Sequence, residues 1–179
     1  MEKSEAIRQF GESGFLTQLA LAEGVELEWP ELTLLEDSTN LMKNFGKDEV
    51  YLFFFLRSAA SWFRVSEDKD FDRTISKAAQ ATNKRVPGTP SSIAEYASTY
   101  EKVFGRKLGK PEMKSIERAA APVYHDSVIN DIARASSRAR NERIVTEAER
   151  LWLEGKSIFM LFGTAHAVIQ EKALRSLAN

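Results

Sequence analysis

The first candidate for chemistry is His166, which lies near the C-terminal end and follows Gly163 in a G-x-x-H pattern. The run SIFMLF at residues 157–162 is typical of a strand that is buried on both faces. Gly163 permits a sharp turn, and the spacing of residues 165–177 predicts a helix. His166 is therefore expected at a helix N-terminus beyond the carboxyl end of a strand, where ligands bind in α/β proteins.

This position bears on the charge of His166. The partial positive charge of a helix N-terminus disfavours an imidazolium ion, and the neutral imidazole is the form that binds a metal ion or accepts a proton. We therefore predict that His166 is a general base or a metal ligand. Two alternatives are a histidine held by hydrogen bonds in the core and a phosphate-binding helix terminus at residues 163–166.

Arg140 is the second candidate, because it interrupts an apolar stripe. A long helix is predicted over residues 126–154, and its inward-facing positions are Ile129, Ile132, Ala133, Ser136, Ile144, Ala148, Leu151 and Trp152. Arg140 completes this stripe between Ser136 and Ile144. A charge there must be paired or face a polar cavity, since an unpaired buried charge is costly. The alternative is a structural arginine that binds carbonyl groups or pairs with an acid in the core.

Glu12 is the third candidate. It lies in a predicted turn at residues 11–14, before a helix predicted over residues 15–23, which is the kind of place that His166 occupies. If both turns lie on one edge of a sheet, Glu12, His166 and an inward Arg140 converge on one site. The alternative is a solvated turn residue. Ser13 in the same turn is better suited to capping the helix than to nucleophilic catalysis, because its surroundings lack the second glycine of a G-x-S-x-G motif.

The elements that would position these residues form an α/β pattern. The predicted strands are residues 5–10, 25–29 and 157–162, of which residues 25–29 alternate strictly between apolar and acidic side chains. Helices are predicted between the second and third strands, over residues 37–45, 47–63, 68–84, 92–104 and 126–154. We predict one mostly helical α/β domain over residues 1–179. Its sheet would be small and mostly parallel, with two to four strands and a large helical insertion.

Composition narrows the possible functions. The 179 residues are 43% hydrophobic and 28% charged, which is typical of a globular protein, and the formal net charge of −1 predicts neither a nucleic-acid nor a membrane-surface partner. The chain has no cysteine, which excludes disulfides and thiolate sites and favours a cytoplasmic location. Its two histidines exclude a three-histidine zinc site made by this chain alone. The most apolar run, residues 50–56, is far shorter than the roughly 20 residues that span a bilayer.

Several of these segments resemble the C-terminal half of the TraB/Tiki-like superfamily, which includes erythromycin esterase-like, ChaN-like and GumN proteins. RNERIVTEA at residues 140–148 is similar to the family's R-[DN]-x-x-[ILM] helix, and FMLFGTAH at residues 159–166 is similar to its closing strand and G-x-x-H motif. FGESGFLTQLA at residues 10–20, with GVELEWPE at residues 24–31, resembles its helix–strand unit. The resemblance implies an α/β core whose pocket holds two G-x-x-H motifs, an acidic pair and an arginine.

Members of this superfamily act as metal-dependent proteases or as hydrolases with a histidine base. The first G-x-x-H motif and the acidic strand would lie before Gly11, where only ten residues are present. We therefore predict an incomplete hydrolase site, in which His166 serves as base or metal ligand and Arg140 stabilises an anionic group. A divalent metal ion, a small-molecule or peptide substrate, and a homo-oligomer or partner chain that supplies the missing groups are further expectations. The alternative is a non-catalytic binding or regulatory module that retains the fold.

Overall fold

A computed structural model of the protein describes residues 3–65 and 70–177. Within these ranges it contains eight α-helices, with a short 3₁₀ turn at Lys110–Glu112 before the sixth. The helices are α1 (Lys3–Ala22), α2 (Leu34–Leu41), α3 (Lys47–Val65), α4 (Phe71–Arg85), α5 (Ile93–Phe104), α6 (Met113–Ala119), α7 (Val128–Leu153) and α8 (Thr164–Leu177).

The predicted α/β fold is wrong, because no residue in the described ranges belongs to a β-strand. Residues 5–10 lie within α1, and residues 25–29 and 157–162 run without a helix, turn or bend and join no ladder. We call the last two segment 25–29 and segment 157–162. A short apolar or alternating run has the pattern of a strand, but a strand forms only where a second one supplies hydrogen-bond partners.

The helix predictions over the middle and end of the chain are confirmed to within a few residues. The helices predicted over residues 47–63, 92–104, 126–154 and 165–177 correspond to α3, α5, α7 and α8. The first two residues of the helix predicted over residues 68–84 lie outside the described ranges, and α4 begins at Phe71 after its N-cap Asp70. No helix in the described ranges is both long and apolar enough to cross a membrane.

The chain divides into two compact units. The terminal unit consists of Met1–Glu31 and Arg143–Asn179, and the central unit consists of Leu32–Glu142. Helix α7 passes from the central unit into the terminal unit between Glu142 and Arg143. The prediction of a single domain over residues 1–179 stays a prediction.

The core of the central unit surrounds α3. Asp48 and Glu49 stand in the first turn of α3, where they complement the helix dipole. The helix packs against α2, α4, α5 and α6. Phe55 on α3 stacks on Tyr96 of α5, with ring centroids 4.3 Å apart. Burial of so many aromatic side chains, each removing a large apolar area from water, makes α3 the main packing element of this unit.

Helix α2 begins earlier than the sequence predicts. The sequence predicts a helix over residues 37–45, whereas α2 begins at Leu34 and its N-cap is Thr33 in a reciprocal capping box with Glu36. The Thr33 N–H donates to Glu36 Oε2 at 2.8 Å. Asp37 is instead buried, and the Ser136 hydroxyl donates to its Oδ2 at 2.6 Å. The capping box therefore begins α2 three residues before Asp37, whose buried carboxylate joins α2 to α7.

Asn130 closes the C-terminal end of α6. Its side chain is 0% exposed, and its Nδ2 donates to the carbonyl oxygens of Arg118, Ala119 and Ala121 at 3.0–3.1 Å. Its Oδ1 accepts from the Asp126 N–H at 3.2 Å. The last carbonyls of a helix have no partner within the helix, so one buried amide satisfies the end of α6 and holds it against the start of α7.

Within the terminal unit, α1 breaks at Gly11. The backbone there has φ 58° and ψ −138°, a conformation that favours glycine. A Cβ on Gly14 would lie 2.8 Å from the Cβ of Phe10 and would also collide with the carbonyl of Ala6. The two glycines of the predicted turn at residues 11–14 therefore have structural roles: Gly11 permits the break, and Gly14 lets the two parts of α1 approach closely.

Candidate functional site

His166 lies in the first turn of α8, as the sequence predicts. Its backbone N–H donates to the carbonyl of Gly163 at 2.9 Å, and its partly buried ring lies 6.3 Å from the ring of Phe162, between centroids. The effect of the helix dipole on the charge of this imidazole stays a prediction. The buried strand that was to precede it is replaced by segment 157–162, so the strand-end setting of a ligand site in an α/β protein is missing here.

Arg140 lies on α7 in the central unit, and its side chain is partly buried. The next residue, Asn141, is buried, and its Nδ2 donates to the Ser137 carbonyl at 2.7 Å. Glu12 is exposed on α1, directly after the break at Gly11. Glu12 and His166 belong to the terminal unit and Arg140 to the central unit. The convergence of the three side chains on one site stays a prediction.

The expectation of a metal-binding site needs correction. Among residues 3–65 and 70–177, no group of three or more histidine, cysteine, aspartate or glutamate side chains is arranged to hold a metal ion. A catalytic zinc ion is held by three protein ligands. The prediction of a metal-binding protein is thus wrong for the described part of the chain, and a role for His166 as a single ligand stays a prediction.

The main polar feature of the terminal unit is an ion-pair network that sequence reasoning missed in part. Arg150 on α7 contacts Glu147 at 2.8 Å, Glu154 at 2.7 Å and Glu28 at 3.5 Å. The hydrogen bond from Arg150 lowers the pKa of Glu147. Arg143, four residues before Glu147 on α7, also contacts it at 3.1 Å. The pair of Arg150 and Glu28 joins residues far apart in the chain, which no local spacing could have revealed.

A second long-range pair joins segment 25–29 to Lys156, the residue before segment 157–162. Lys156 Nζ lies 3.0 Å from Glu26 Oε2, and this hydrogen bond raises the pKa of Lys156. Lys156 directly precedes segment 157–162, and Glu26 lies within segment 25–29. These ion pairs place the acidic side chains of segment 25–29 beside the end of α7.

The terminal unit also carries most of the exposed apolar surface. Among the described residues, sixteen large hydrophobic side chains are exposed, and twelve of them belong to this unit although it is the smaller one. The four in the central unit are Leu35, Ile93, Val123 and Tyr124. The twelve in the terminal unit are Ile7, Phe10, Leu19, Leu21, Val25, Trp29, Trp152, Leu153, Phe159, Leu161, Val168 and Ile169. Apolar surface concentrated in one region marks a binding surface more often than scattered single residues do.

Segment 157–162 presents this surface in alternating order. Ser157, Phe159 and Leu161 are exposed, whereas Ile158, Met160 and Phe162 are partly buried. In the described part of the chain, no backbone hydrogen bond involves the N–H or C=O groups of these six residues. The segment therefore has the side-chain order of a strand and a backbone open to pairing.

A shallow depression of about 600 Å³ lies on α8, lined by Ile169, Lys172, Ala173, Arg175 and Ser176. It includes none of the three predicted site residues. Its two cations and one exposed isoleucine add to the apolar and polar surface of the terminal unit, and no histidine or carboxylate among its lining residues could activate Ser176 as a nucleophile.

The family resemblance rests on residues 140–148 and 159–166, and the α/β core that it implies is contradicted by the all-helical structure of the described residues. Membership of the TraB/Tiki-like superfamily stays a prediction. No known protein family, curated protein or solved structure matches this chain.

Proposed function

We propose that this chain is a protein-binding module whose binding surface lies on the terminal unit. The observation that carries the proposal is the concentration of exposed large apolar side chains in that unit. Trp29 is 73% exposed and Phe159 is 80% exposed. Aromatic side chains are the typical anchors of protein interfaces, because each buries a large area with little loss of conformational entropy.

The charges of the terminal unit support a protein partner over a nucleic acid. Arg143, Arg150 and Lys156 are each paired with glutamates. A nucleic-acid surface needs unneutralised basic side chains on one face. The formal net charge of −1 agrees with this choice.

The acidic residues around Trp29 support a protein partner over a membrane. Glu26, Glu28 and Glu31 surround the apolar residues of this segment. An anionic lipid surface attracts basic rather than acidic segments. The cytoplasmic location of the module stays a prediction from the lack of cysteine.

The hydrolase interpretation is supported less well. It placed a base and an arginine at the rim of a sheet, and the described residues form no sheet. It stays a prediction that His166 and Arg140 act on a small-molecule or peptide substrate. Metal analysis of the purified protein with and without His166→Ala, together with hydrolysis assays of both His166→Ala and Arg140→Ala, tests that prediction directly.

The proposed function is tested by affinity capture of the full chain in extracts of its own organism. A double variant, Trp29→Asp with Phe159→Asp, removes two exposed anchors of the terminal unit. The matched control, Leu35→Asp with Val123→Asp, removes two exposed apolar side chains of the central unit. We expect one protein partner that the wild type and the control retain and the terminal-unit variant loses, with all three chains equally folded by circular dichroism.

Two results would overturn the proposal. In one, the terminal-unit variant and the control retain the same proteins in the same amounts. In the other, the wild-type chain sediments with vesicles of phosphatidylcholine and phosphatidylserine and retains no protein that depends on Trp29 and Phe159, which would assign the apolar surface to a lipid membrane.

A further inference from the structure

We infer that residues 21–31 of the terminal unit bind a basic peptide segment of a partner protein, in which arginine or lysine side chains stand beside apolar ones. We call these residues segment 21–31. The inference rests on the proposed function, because it names the chemistry of the partner. The segment is an accessible strip of chain: residues 21–26, 28, 29 and 31 are exposed, and only residues 27 and 30 are partly buried.

The side-chain charges of this part of the chain are all negative. Residues 9–31 contain five glutamates and no lysine or arginine. Four of these glutamates, Glu23, Glu26, Glu28 and Glu31, are exposed in segment 21–31. A partner that brings ammonium or guanidinium groups to this strip is attracted, whereas one that brings carboxylates is repelled. The same repulsion disfavours segment 21–31 of a second copy as the occupant.

The cations of the terminal unit neutralise this charge only in part. Lys156 Nζ lies 3.0 Å from Glu26 and is shared with a second carboxylate at 3.6 Å. Arg150 contacts Glu28 at 3.5 Å and lies closer, at 2.7–2.8 Å, to two other glutamates. Glu23 contacts no cation in the described part of the chain. Segment 21–31 therefore keeps an excess of negative charge that a basic partner can neutralise.

The end of α1 adds to this negative potential. The last carbonyl groups of a helix carry a partial negative charge, which basic side chains in the last turn complement. Helix α1 has no basic side chain in its last turn, and Glu23 follows its last residue, Ala22. An acid in this position opposes the helix dipole and lowers the stability of the helix. A cation supplied by a partner would offset this unfavourable interaction.

The indole ring of Trp29 offers a basic side chain a second contact. An arginine or lysine over the face of an indole is attracted to its π-electrons. The protein makes such a contact in its central unit, where Lys77 Nζ lies 4.9 Å from the ring centre of Trp62. Trp29 is 73% exposed, follows Glu28, and has no cation over its ring in the described part of the chain. A guanidinium group can thus stack on the indole and pair with a carboxylate at the same place.

Exposed apolar side chains lie between the glutamates, which is why the partner needs apolar side chains as well. Leu21 and Val25 are exposed on either side of Glu23. A partner made of charges alone would leave these side chains in water, whereas leucine-like side chains would cover them and gain the free energy of apolar burial. The chemistry of segment 21–31 therefore matches a basic and apolar peptide better than a purely polar one.

The test measures the binding of two fluorescein-labelled probe peptides to the full chain by fluorescence anisotropy. The basic probe repeats arginine, leucine and serine, and the acidic probe carries glutamate at every arginine position. Because length and apolar content are equal, the probes differ in the sign of their charge. We expect the basic probe to bind at least tenfold more tightly at about 50 mM salt, and its affinity to fall at least fivefold at about 500 mM salt.

Variants of the full chain locate the charge contribution. Glu23→Gln with Glu31→Gln should weaken binding of the basic probe at least fivefold. The matched control, Glu101→Gln with Glu117→Gln, removes two exposed carboxylates of the central unit and should leave binding unchanged. Glu23→Gln alone should not lower the urea midpoint of unfolding, because it removes an acid from the C-terminal end of a helix. Loss of binding without loss of stability separates the proposed role from a structural one.

A third variant tests the indole contact. Trp29→Ala should weaken binding of the basic probe at least tenfold, as expected for an aromatic anchor. Val123→Ala is the matched control, because Val123 lies in the central unit and is as exposed as Trp29. Circular dichroism monitors the helices of every variant.

Two results would overturn the inference. One is a basic probe that binds no more tightly than the acidic probe. The other is binding of the basic probe that the variants at Glu23, Trp29 and Glu31 leave unchanged. In either case a protein captured from extracts through Trp29 and Phe159 would leave the proposed function standing, whereas the lack of any such protein would remove the proposed function itself.

Discussion

The central unit and the terminal unit differ in how far their apolar side chains are buried. In the central unit, Leu52 and Phe55 of α3 and Tyr100 of α5 are fully buried, and the hydrophobic core of the described residues lies between Leu41 and Ala133. In the terminal unit, the buried apolar side chains of the described residues are Ala6, Ile144 and Ala148. Most of its large apolar side chains face solvent instead.

This difference follows from how each unit is assembled. The central unit is continuous in sequence, and α2, α4, α5 and α6 pack around α3. The terminal unit combines two distant parts of the chain, and the long-range contacts between them include the ion pairs of Glu26 with Lys156 and of Glu28 with Arg150. Exposed ion pairs contribute little to folding free energy, whereas buried aromatic side chains contribute several kcal/mol each. We therefore expect stability to reside in the central unit and binding in the terminal unit.

The largest expected effect is the difference in unfolding free energy between the variants Phe55→Ala and Phe159→Ala. Phe55→Ala empties a fully buried position beside Tyr96 and should lower the free energy of unfolding by about 3–5 kcal/mol. Phe159→Ala removes an exposed ring and should change it by less than about 0.5 kcal/mol. Urea unfolding followed by circular dichroism measures both. Equal losses of unfolding free energy in the two variants would mean that the terminal unit has a core of its own and that the two units do not differ in this respect.

Asn130 offers the next test, because its contribution is polar rather than apolar. Asn130→Ala removes the side-chain donor shared by three carbonyl oxygens at the end of α6, of which that of Arg118 still accepts from the Ala121 N–H, and it should lower the free energy of unfolding by about 2–3 kcal/mol. The exposed Asn44→Ala serves as the control and should have no measurable effect. An Asn130→Ala protein as stable as the wild type would show that solvent satisfies the end of α6.

Alkaline pH should weaken the central unit through two buried tyrosines. Burial raises the pKa of Tyr96 to about 12 and, with a hydrogen bond to Glu112, that of Tyr100 to about 12. Because these values lie above about 10, the value in an unfolded chain, the folded state favours the protonated phenols. Their contribution is complete below pH about 10 and is lost as the pH rises through about 12.

The measurement is the urea midpoint as a function of pH for the wild type and for Tyr96→Phe with Tyr100→Phe. Each substitution removes a hydrogen bond and should cost about 1 kcal/mol at neutral pH. The double variant should then lose less stability than the wild type above pH about 10. Tyr124→Phe, at a surface position, should follow the wild-type profile. Identical pH profiles for the wild type and the double variant would contradict the raised pKa values of Tyr96 and Tyr100.

The smallest expected effect lies in the ion pairs of the terminal unit. Arg150→Gln removes contacts with Glu28, Glu147 and Glu154 and should lower the urea midpoint of unfolding only slightly, with the difference shrinking at high salt, because exposed ion pairs are screened. Arg138→Gln, which removes one exposed pair on the central part of α7, is the control. A loss of stability for Arg150→Gln as large as that of Asn130→Ala would show that electrostatics holds the terminal unit together.

The helices were predictable because their signals are local. The apolar periodicity of α3 and α7, the Ser92 cap of α5 and the left-handed Gly105 at its end can all be read within a few residues. The start of α2 was missed although Thr33 and Glu36 carry the capping-box spacing, which was a readable signal. The burial of Asp37 beside Ser136 had no local signal, because the two residues lie 99 positions apart.

The strands and the candidate site were not predictable in the same way. Segments 25–29 and 157–162 have strand-like patterns, but a pattern states only which side chains can share a face. Whether a second strand lies within hydrogen-bonding distance depends on the rest of the fold. For the same reason, the helix-terminal position of His166 was predicted correctly, while its strand-end setting was not.

The amino-acid sequence by itself determined most of the helices, the glycines that follow α5 and α7, and the lack of any thiol chemistry, since each depends on residue type and short-range spacing. Only the tertiary structure decided which apolar residues are buried around α3 and which remain exposed on the terminal unit. Burial requires contacts between residues distant in the chain, and the free energy of such contacts depends on geometry that no short segment encodes.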